Sequence, residues 1–541
     1  MQALKRVKAY FLICVISLIL VVGCQSQKGD ISRSPSGDRI TIGTTLKPRT
    51  LDPADSYELA GLFLIYNLGE TLYTYAEGST TLKPLLASAL PTVSGDGLVY
   101  TIPVRQGVKF QNGTAFDAAA MAFSLNRFIK NGGEPSFLLA DTIDRVEATG
   151  PYELTITLKK PFAAFPSLLA YPGACAVSPA AYEIGKDTFK PDQFIGTGPY
   201  KLTKVTPDAY GLERFEDYWG EKAKTRHIDI QIYQSNPANL FNAFRTGAVD
   251  IAYQSLQAPQ VKKLQKEARE GQFKLIEGEG SAVNFMSLNF NSEPVKNPLV
   301  RQAIAALVDR DLLNERILQG QGTPLYSLIP TGFSESEPVF KNRYGSRNVK
   351  KAKALLTEAG YTPENPAVVE IWHSSGSITA STVAAVMKAL AKRDLDGLLT
   401  FEPNSILTAA FFKNVSRGLY SSALSNWYPD FLDADNYIYP FLSCAKGSDS
   451  KGCEEGGAQS QGSFYYSDRL NGLIDRERRE QNPSKRKEIF TEIQNILAEN
   501  VPYIPLWQAK DYVFTQNHIE GVKINPGQTI PFWKISPAAA S

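Results

Sequence analysis

The chain has 541 residues, with 57 Lys and Arg against 55 Asp and Glu, so its formal net charge at pH 7 is +2. This balance argues against a nucleic-acid-binding protein, because such proteins carry a concentrated basic surface. The length is too great for a single hydrophobic core and predicts two to four domains.

The first 23 residues have the pattern of a signal peptide. Lys5, Arg6 and Lys8 precede an apolar run at 11–22, which is shorter than the roughly 20 residues that a spanning helix needs. The run ends in Val-Val-Gly-Cys at 21–24, which resembles the lipobox of a bacterial lipoprotein. We therefore expect cleavage before Cys24, a lipid on its thiol and a flexible tether at 24–39. The mature protein is then expected to lie outside the cytoplasmic membrane, anchored to a membrane by this lipid. Without the leader, the chain has 54 basic and 55 acidic residues, which gives a net charge of −1.

Alternating and helical apolar patterns predict the elements of the first half of the chain. Strands are expected at 40–45, 98–104, 154–158, 200–205 and 229–233, and helices at 59–68, at 240–246 and from a cap at Asp117 to about 130. Gly196-Thr197-Gly198-Pro199-Tyr200 is not a phosphate-binding loop, because Pro199 and the missing Lys-Ser/Thr ending do not fit that motif.

The second half alternates strands and helices between 368 and 427, the pattern of a sheet covered by helices. Strands are expected at 285–290, 368–372, 398–402, 419–427, 501–506 and 512–514. Helices are expected at 298–320 behind an Asn297 cap, at 379–392, at 406–415 and at 489–497, and a further helix is expected to end at Gly360. Cys444 and Cys453 lie nine positions apart in a Gly/Ser-rich segment, and an oxidising compartment predicts a disulfide between them. Cys175 is expected to be a small buried residue.

The stretch 425–444 places Asp430, Asp433 and Asp435 among six aromatic residues, directly after a predicted strand. Because ligands bind outside the carboxyl ends of strands in such sheets, Asp430 is a candidate partner for a cationic ligand group. Three other interpretations remain open: turn residues that satisfy the local backbone, an acid–base pair of a secreted hydrolase, and a calcium loop, although the Gly and terminal Glu of that motif are missing.

Six motifs make the chain resemble the bacterial extracellular solute-binding proteins of family 5, which serve peptide and nickel ABC importers. They are Asp96-Gly97-Leu98-Val99-Tyr100-Thr101, Arg105-Gln106-Gly107-Val108-Lys109-Phe110, Asn112-Gly113-Thr114, Gly196-Thr197-Gly198-Pro199-Tyr200, Asp217-Tyr218-Trp219-Gly220, and Leu288-Asn289-Phe290-Asn291 followed by Val300-Arg301-Gln302-Ala303-Ile304. The resemblance covers nearly all of the mature chain.

The resemblance implies a mixed α/β, two-lobed, periplasmic binding protein-like fold of the three-domain type. Its discontinuous first domain would comprise 40–71, 195–280 and 507–541, its extra domain 72–194, and its second lobe 281–506. Hinge segments would lie near 284–289 and 503–508.

Peptide-binding members hold the ligand's α-amino group with the Asp of a Trp-x-x-Asp element, and Trp427-Tyr428-Pro429-Asp430 matches it. Asp430, Trp427 and Tyr428 are therefore the implied ligand-binding residues. Dipeptide-specific members also carry an Arg after the strand of Trp372, whereas this chain has Ser374-Ser375-Gly376-Ser377-Ile378 there, so a longer peptide or another amine is expected.

The resemblance implies a monomeric, non-enzymatic component that captures peptides and delivers them to an ABC permease, without a cofactor. A nickel chelate, haem or an oligosaccharide is the alternative ligand. His227, His373 and His518 form no metal-ligand pattern, so no directly bound metal is expected. A secreted hydrolase that uses Asp430 is the distant alternative, and it lacks any accompanying catalytic motif.

Overall fold

A large mixed β-sheet, a smaller antiparallel sheet and the helices between their strands make up the fold. The structure is a computed structural model that describes residues 38–234, 236–253 and 256–538. Its strands are β1 (Arg39–Thr44), β2 (Tyr73–Tyr75), β3 (Leu82–Pro84), β4 (Thr92–Val93), β5 (Val99–Pro103), β6 (Ile143–Gly150), β7 (Glu153–Leu158), β8 (Tyr200–Thr206), β9 (Ala209–Arg214), β10 (His227–Ile232), β11 (Ile251–Tyr253), β12 (Lys274–Leu288), β13 (Gly322–Pro324), β14 (Ala367–Ser374), β15 (Leu399–Ile406), β16 (Ser422–Trp427), β17 (Lys446–Ser448), β18 (Gly452–Glu455), β19 (Tyr503–Thr515), β20 (Ile519–Glu520) and β21 (Ser536–Pro537). Its α-helices are Leu59–Leu68, Ala118–Asn131, Phe137–Ala140, Phe165–Leu168, Pro237–Arg245, Ala258–Arg269, Pro298–Leu307, Arg310–Leu312, Val339–Tyr344, Val349–Glu358, Ile378–Asp394, Thr408–Ser416, Tyr439–Leu442, Gly457–Ser460, Asp468–Arg479 and Pro483–Asn500.

Eleven strands form the large sheet, in the order β15-β14-β16-β12-β19-β11-β1-β10-β9-β8, with β13 paired to β19. β1 runs parallel to β10 and β11, and β14 runs parallel to β15 and β16. β12 pairs antiparallel with β16 and β19. The mixture of parallel and antiparallel pairs, together with helices between the strands, confirms the predicted mixed α/β class.

The paired strands β12 and β19 differ from the sequence-based expectation. The strand predicted at 285–290 begins at Lys274 and ends at Leu288, and the strands predicted at 501–506 and 512–514 are one strand, Tyr503–Thr515. The start of β12 was missed because glycines and exposed glutamates interrupt its apolar pattern. The register of the pair shifts between Glu279 and Val283, within this polar part.

The helix behind Asn297 is shorter than predicted. Asn297 caps it, since its Oδ1 accepts a hydrogen bond from the Leu299 amide, 2.9 Å away. It ends at Leu307 and does not continue to Gly320. Val308 adopts an extended conformation, and Asp309 caps a new helical turn by accepting from the Leu312 amide at 3.0 Å. The apolar periodicity continues through this break, which explains why it predicted a single helix.

The small sheet, in the order β4-β5-β7-β6, is antiparallel throughout. Helix Ala118–Asn131 follows the predicted cap, where Asp117 Oδ1 accepts from the Ala120 amide at 2.8 Å. The hydrophobic core at this sheet also contains Phe431, a residue of the stretch 425–444. That stretch is therefore packed between early and late parts of the chain. Among the described residues, no helix combines the length and apolar character that crossing a membrane requires.

Candidate functional site

A cavity of about 930 Å³ lies where segments distant in sequence meet. This volume is near the upper end of the roughly 300–1,000 Å³ range of ligand pockets. The aromatic residues that line the cavity are Tyr57, Tyr66, Tyr75, Tyr171, Phe412, Trp427, Tyr428 and Phe431. Among the described residues that line it, Asp430 is the one with a charged side chain. The cavity therefore offers one acidic side chain in a wall of aromatic, aliphatic and neutral polar residues.

Asp430 is held at the wall of the cavity by backbone and side-chain hydrogen bonds. β16 ends at Trp427, and Pro429 follows before Asp430. The Asp430 amide donates to Asn436 Oδ1 at 3.0 Å, and Trp427 Nε1 donates to the same oxygen at 3.1 Å. On the opposite side, Tyr57 Oη donates to Asp430 Oδ1 at 2.7 Å. Asn436 thus fixes Trp427 and Asp430 relative to each other.

The electrostatics of Asp430 reflect its partial burial. Burial raises the pKa of the Asp430 carboxyl above its usual value, although hydrogen bonds from Tyr57 and Asn436 oppose the shift. Burial, together with the nearby Asp430 charge, also raises the pKa of Tyr57, so the Tyr57 hydroxyl stays protonated and is the donor in their bond. A cation placed at Asp430 would favour the ionised carboxylate and offset this desolvation.

The two predicted aromatic neighbours of Asp430 have different surroundings. Trp427 is half-buried and packs edge-on against Phe441, with ring centroids 5.5 Å apart. Tyr428 remains 55% exposed and lines the cavity. The Tyr428 ring is accessible to a ligand, whereas Trp427 supports the wall that carries Asp430.

Asp433 lies in a buried ion pair. Arg486 donates to its two carboxylate oxygens at 2.7 and 2.8 Å. Burial alone would raise the pKa of Asp433, but the Arg486 guanidinium outweighs it, and the pKa lies below its usual value. Asp433 also caps the helical turn Ala434–Tyr437 by accepting from the Asp435 amide.

Asp435 belongs to the same cluster and accepts from Arg478 Nη1 at 3.2 Å. The cluster also holds Glu477, which is completely buried and accepts from Arg486 Nη2 at 2.9 Å. Burial and the neighbouring Asp435 raise the pKa of Glu477 well above its usual value. The cluster therefore brings two guanidinium groups to three carboxyl groups. Since Asp433 and Asp435 are bound to arginines and do not line the cavity, the geometry gives Asp430 no acid–base partner from this stretch.

Sequence reasoning missed several residues that build the site. Tyr57 and Arg486 lie far from Asp430 in the sequence, and Asn436 lies within the stretch 425–444 but had no role assigned to it. Asp511 was also missed. It is 6% exposed, accepts from Gln528 Nε2 of the cavity wall at 2.7 Å, and burial raises its pKa to about 7.

The remaining candidate residues lie away from this cavity. The structure joins Cys444 and Cys453 in a disulfide, with Cα atoms 5.7 Å apart, and leaves Cys175 as a buried thiol. Cys24 lies outside the described residues. Within the part of the chain that the structure describes, no three His, Cys, Asp or Glu residues form a group able to hold a metal ion.

Comparison with known proteins gives a family match over most of the chain. Residues 81–449 match the family described as bacterial extracellular solute-binding proteins, family 5 middle. The glutathione-binding protein GsiB of Escherichia coli O1:K1 / APEC is 26% identical over 495 residues, which cover 89% of this chain and 91% of GsiB.

Two solved structures illustrate the shared fold. The periplasmic binding protein DppA from Helicobacter pylori, in complex with the peptide STSA, has a TM-score of 0.71 and 23% identity, covering 93% of this chain and 98% of DppA. NikA from Brucella suis, in complex with Fe(III)-EDTA, has a TM-score of 0.78 and 22% identity, covering 92% of this chain and 99% of NikA.

Proposed function

This chain belongs to the bacterial extracellular solute-binding proteins of family 5, the solute-binding components of ABC importers with a two-lobed α/β fold, and from that membership we propose that its ligands are peptides with a free amino end. It captures them outside the cytoplasmic membrane and delivers them to an ABC permease. The protein binds and releases its ligand without a chemical step or a cofactor.

The observation that carries this proposal is the position of Asp430 as the acidic side chain among the aromatic, aliphatic and neutral polar residues that line the cavity. An ammonium group that reaches Asp430 forms a charge-assisted hydrogen bond with a partly buried carboxylate. Tyr428, which is accessible from the cavity, covers the ligand next to this anchor. The peptide relative of known structure is consistent with this ligand class, since DppA is described with the peptide STSA.

We further propose the domain division that the family resemblance implies, with one lobe formed by 40–71, 195–280 and 507–541, an extra domain at 72–194 and the other lobe at 281–506. The hydrogen bond from Tyr57 to Asp430 then links the first lobe to the second. Ligand capture closes the lobes, and the hinge segments lie where β12 and β19 pair. The closed form is the shape that a permease recognises.

The decisive experiment measures peptide affinity by calorimetry for the native protein and for Asp430→Asn. The substitution keeps the shape of the side chain and removes its charge. Losing one partner of a desolvated pair costs about 2–5 kcal/mol, so the affinity should fall by roughly 30-fold to several-thousand-fold. Asp475→Asn, on an exposed helix face, is the control and should leave the affinity unchanged.

N-acetylated peptides provide the complementary ligand series. They lack the ammonium group, so they should bind the native protein poorly and lose little more in Asp430→Asn. Equal binding of acetylated and free peptides by the native protein would show that Asp430 is not an amine anchor.

Lipid attachment at Cys24 and a monomeric state complete the proposal. Cys24 follows an apolar leader, and the tether behind it gives the binding domains freedom to reach a permease in the same membrane.

A further inference from the structure

The proposed extra domain contacts the proposed second lobe through Arg478, in the last turn of helix Asp468–Arg479. The Ala163 amide of the extra domain donates to the Arg478 carbonyl oxygen at 2.6 Å. The guanidinium carbon of Arg478 lies 4.1 Å from the ring centroid of Phe162 and 3.9 Å from that of Tyr439. Arg478 therefore interacts with one aromatic ring of the extra domain and with one of its own lobe.

The same contact includes the residues that directly follow Asp430. Phe431 belongs to the hydrophobic core at the sheet of the extra domain, and its ring centroid lies 5.9 Å from that of Phe162. The Leu432 amide donates to Tyr75 Oη of the extra domain at 2.9 Å. One short segment thus carries both the proposed amine anchor and part of the contact between the lobes.

The charge of Arg478 is compensated within its own lobe. Arg478 Nη1 donates to both carboxylate oxygens of Asp435 at 3.2 Å. Moving the extra domain away would release the Phe162 ring but would leave this ion pair and the Tyr439 contact in place. Because no buried charge loses its partner, the contact between Arg478 and Phe162 can break and form again at a modest cost in free energy.

The junction between the extra domain and the proposed first lobe has the opposite character. Arg127 of the extra domain donates to the two carboxylate oxygens of Asp52 at 2.7 and 2.6 Å, and the two side chains are 1% and 0% exposed. Gln111 Nε2 of the extra domain donates to the Leu68 carbonyl oxygen at 2.7 Å. Separation here would leave buried charges unpaired, which is strongly unfavourable. The extra domain is therefore fixed to the first lobe, and its contact with the second lobe is the one that lobe opening would break.

We propose that Arg478 and Phe162 form a clasp that closes when the lobes enclose a ligand and opens when the ligand leaves. This inference rests on the proposed function and on the proposed domain division. Arg478 does not line the cavity, so it is a positioning residue that acts through the closed arrangement of the lobes. The clasp should therefore increase the affinity for every enclosed ligand by the same factor, whereas Asp430 selects for the amine.

Hydrogen exchange of the mature protein tests whether the clasp closes on binding. The probe is the tetrapeptide STSA with a free amino end. At about 100 times its Kd, exchange of the Ala163 and Leu432 amides should slow by up to about a hundredfold. The Ala120 amide, which donates to Asp117 within the extra domain, should keep its rate. Unchanged exchange at Ala163 and Leu432 while STSA is bound would show a permanent contact and overturn the inference.

Calorimetry with STSA and N-acetylated STSA tests what the clasp contributes. Phe162→Leu removes the ring, and Arg478→Lys keeps the charge but loses the planar group. Each variant should lower the affinity for both peptides by the same factor, about 2- to 30-fold. The double variant should lose little more than either single variant. Arg476→Lys, at an exposed position of the same helix, is the control and should change neither affinity.

The outcomes separate the clasp from the proposed function. A changed ratio of free to acetylated affinity in Phe162→Leu, or fully additive losses in the double variant, would overturn the clasp. Equal binding of both peptides by the native protein would overturn the amine anchor but would still allow the common factor to be measured. If neither peptide binds, ligand-free Phe162→Leu decides: its Ala163 amide should exchange faster than in the native protein, and equal rates would overturn the clasp.

Discussion

Tyr57 donates a 2.7 Å hydrogen bond to Asp430 although 373 positions separate the two residues in the chain. The bond lowers the pKa of Asp430 and so opposes the effect of burial. Tyr57 therefore helps to keep the proposed amine anchor ionised.

Replacing Tyr57 by Phe should shift the pH dependence of peptide binding. Without the hydrogen bond the pKa of Asp430 rises further, so the carboxylate becomes protonated at a higher pH as the solution is acidified. The affinity for a free-amine peptide, measured between pH 4 and pH 8, should begin to fall at a higher pH than in the native protein. Tyr152→Phe, at an exposed position, is the control, and identical profiles for Tyr57→Phe and native protein would refute the expectation.

Asp511 should make the fold less stable as the pH rises. Its pKa in the fold is about 7, well above the ordinary value of 3.8, because the group is buried. The protonated form is favoured in the fold, so its stabilising contribution is complete below pH 4 and is lost as the pH rises to about 7. Between pH 5 and pH 8, the unfolding free energy of the native protein should therefore fall by up to about 3 kcal/mol more than that of Asp511→Asn. Urea unfolding at the two pH values measures this, and a native-like decrease in the variant would contradict it.

Arg486 should be among the most sensitive positions for stability. Arg486→Met leaves Asp433 without its cation and removes the charge that balances the buried cluster. Breaking a buried ion pair in this way destabilises by about 3–5 kcal/mol. Arg469→Met breaks a pair with Glu492 in which the Arg side chain is 70% exposed, and should cost less than about 1 kcal/mol. Equal denaturation midpoints for the two variants would show that the cluster is not stabilising.

The disulfide closes a short loop just beyond the site. Replacing Cys444 and Cys453 by Ser should lower the unfolding free energy by about 2–3 kcal/mol, by the chain-entropy estimate for a loop of this length. Thiol titration of the denatured mature domain lacking Cys24 should detect Cys175 alone. Three reactive thiols would show that the bond does not form.

Cys24 should determine membrane attachment. With Cys24→Ser no thiol is present to accept a lipid, so the protein should lose its lipid label and either leave the membrane fraction or remain unprocessed. Cys175→Ser, which removes a buried thiol, should keep the label. Undiminished labelling of Cys24→Ser would rule out this anchor.

Local chemistry allowed parts of the fold to be predicted from sequence. Helix Leu59–Leu68 has the predicted bounds, and Asp117 caps its helix as its position indicated. These features depend on neighbours within a few residues. The length of β12 depends instead on its partner β19, which is distant in the chain.

The candidate site shows the same division between local and distant information. Asp430 was singled out because a carboxylate after a strand has a recognisable pattern, and it lines the cavity. Asp433 and Asp435 share that local pattern, but their arginine partners come from two later helices. The sequence pattern alone does not distinguish Asp430, which lines the cavity, from Asp433 and Asp435, which are paired with arginines.

The loop that carries Asp430 is immobilised before any ligand arrives. Asn436 holds the Trp427 indole and the Asp430 amide, and Arg486 holds Asp433, and all of these residues belong to the same proposed lobe. The conformational entropy of this loop is therefore lost on folding and not on binding. Chemically different peptides should meet the same prepared surface at similar association rates, so that residence time on the protein distinguishes one ligand from another.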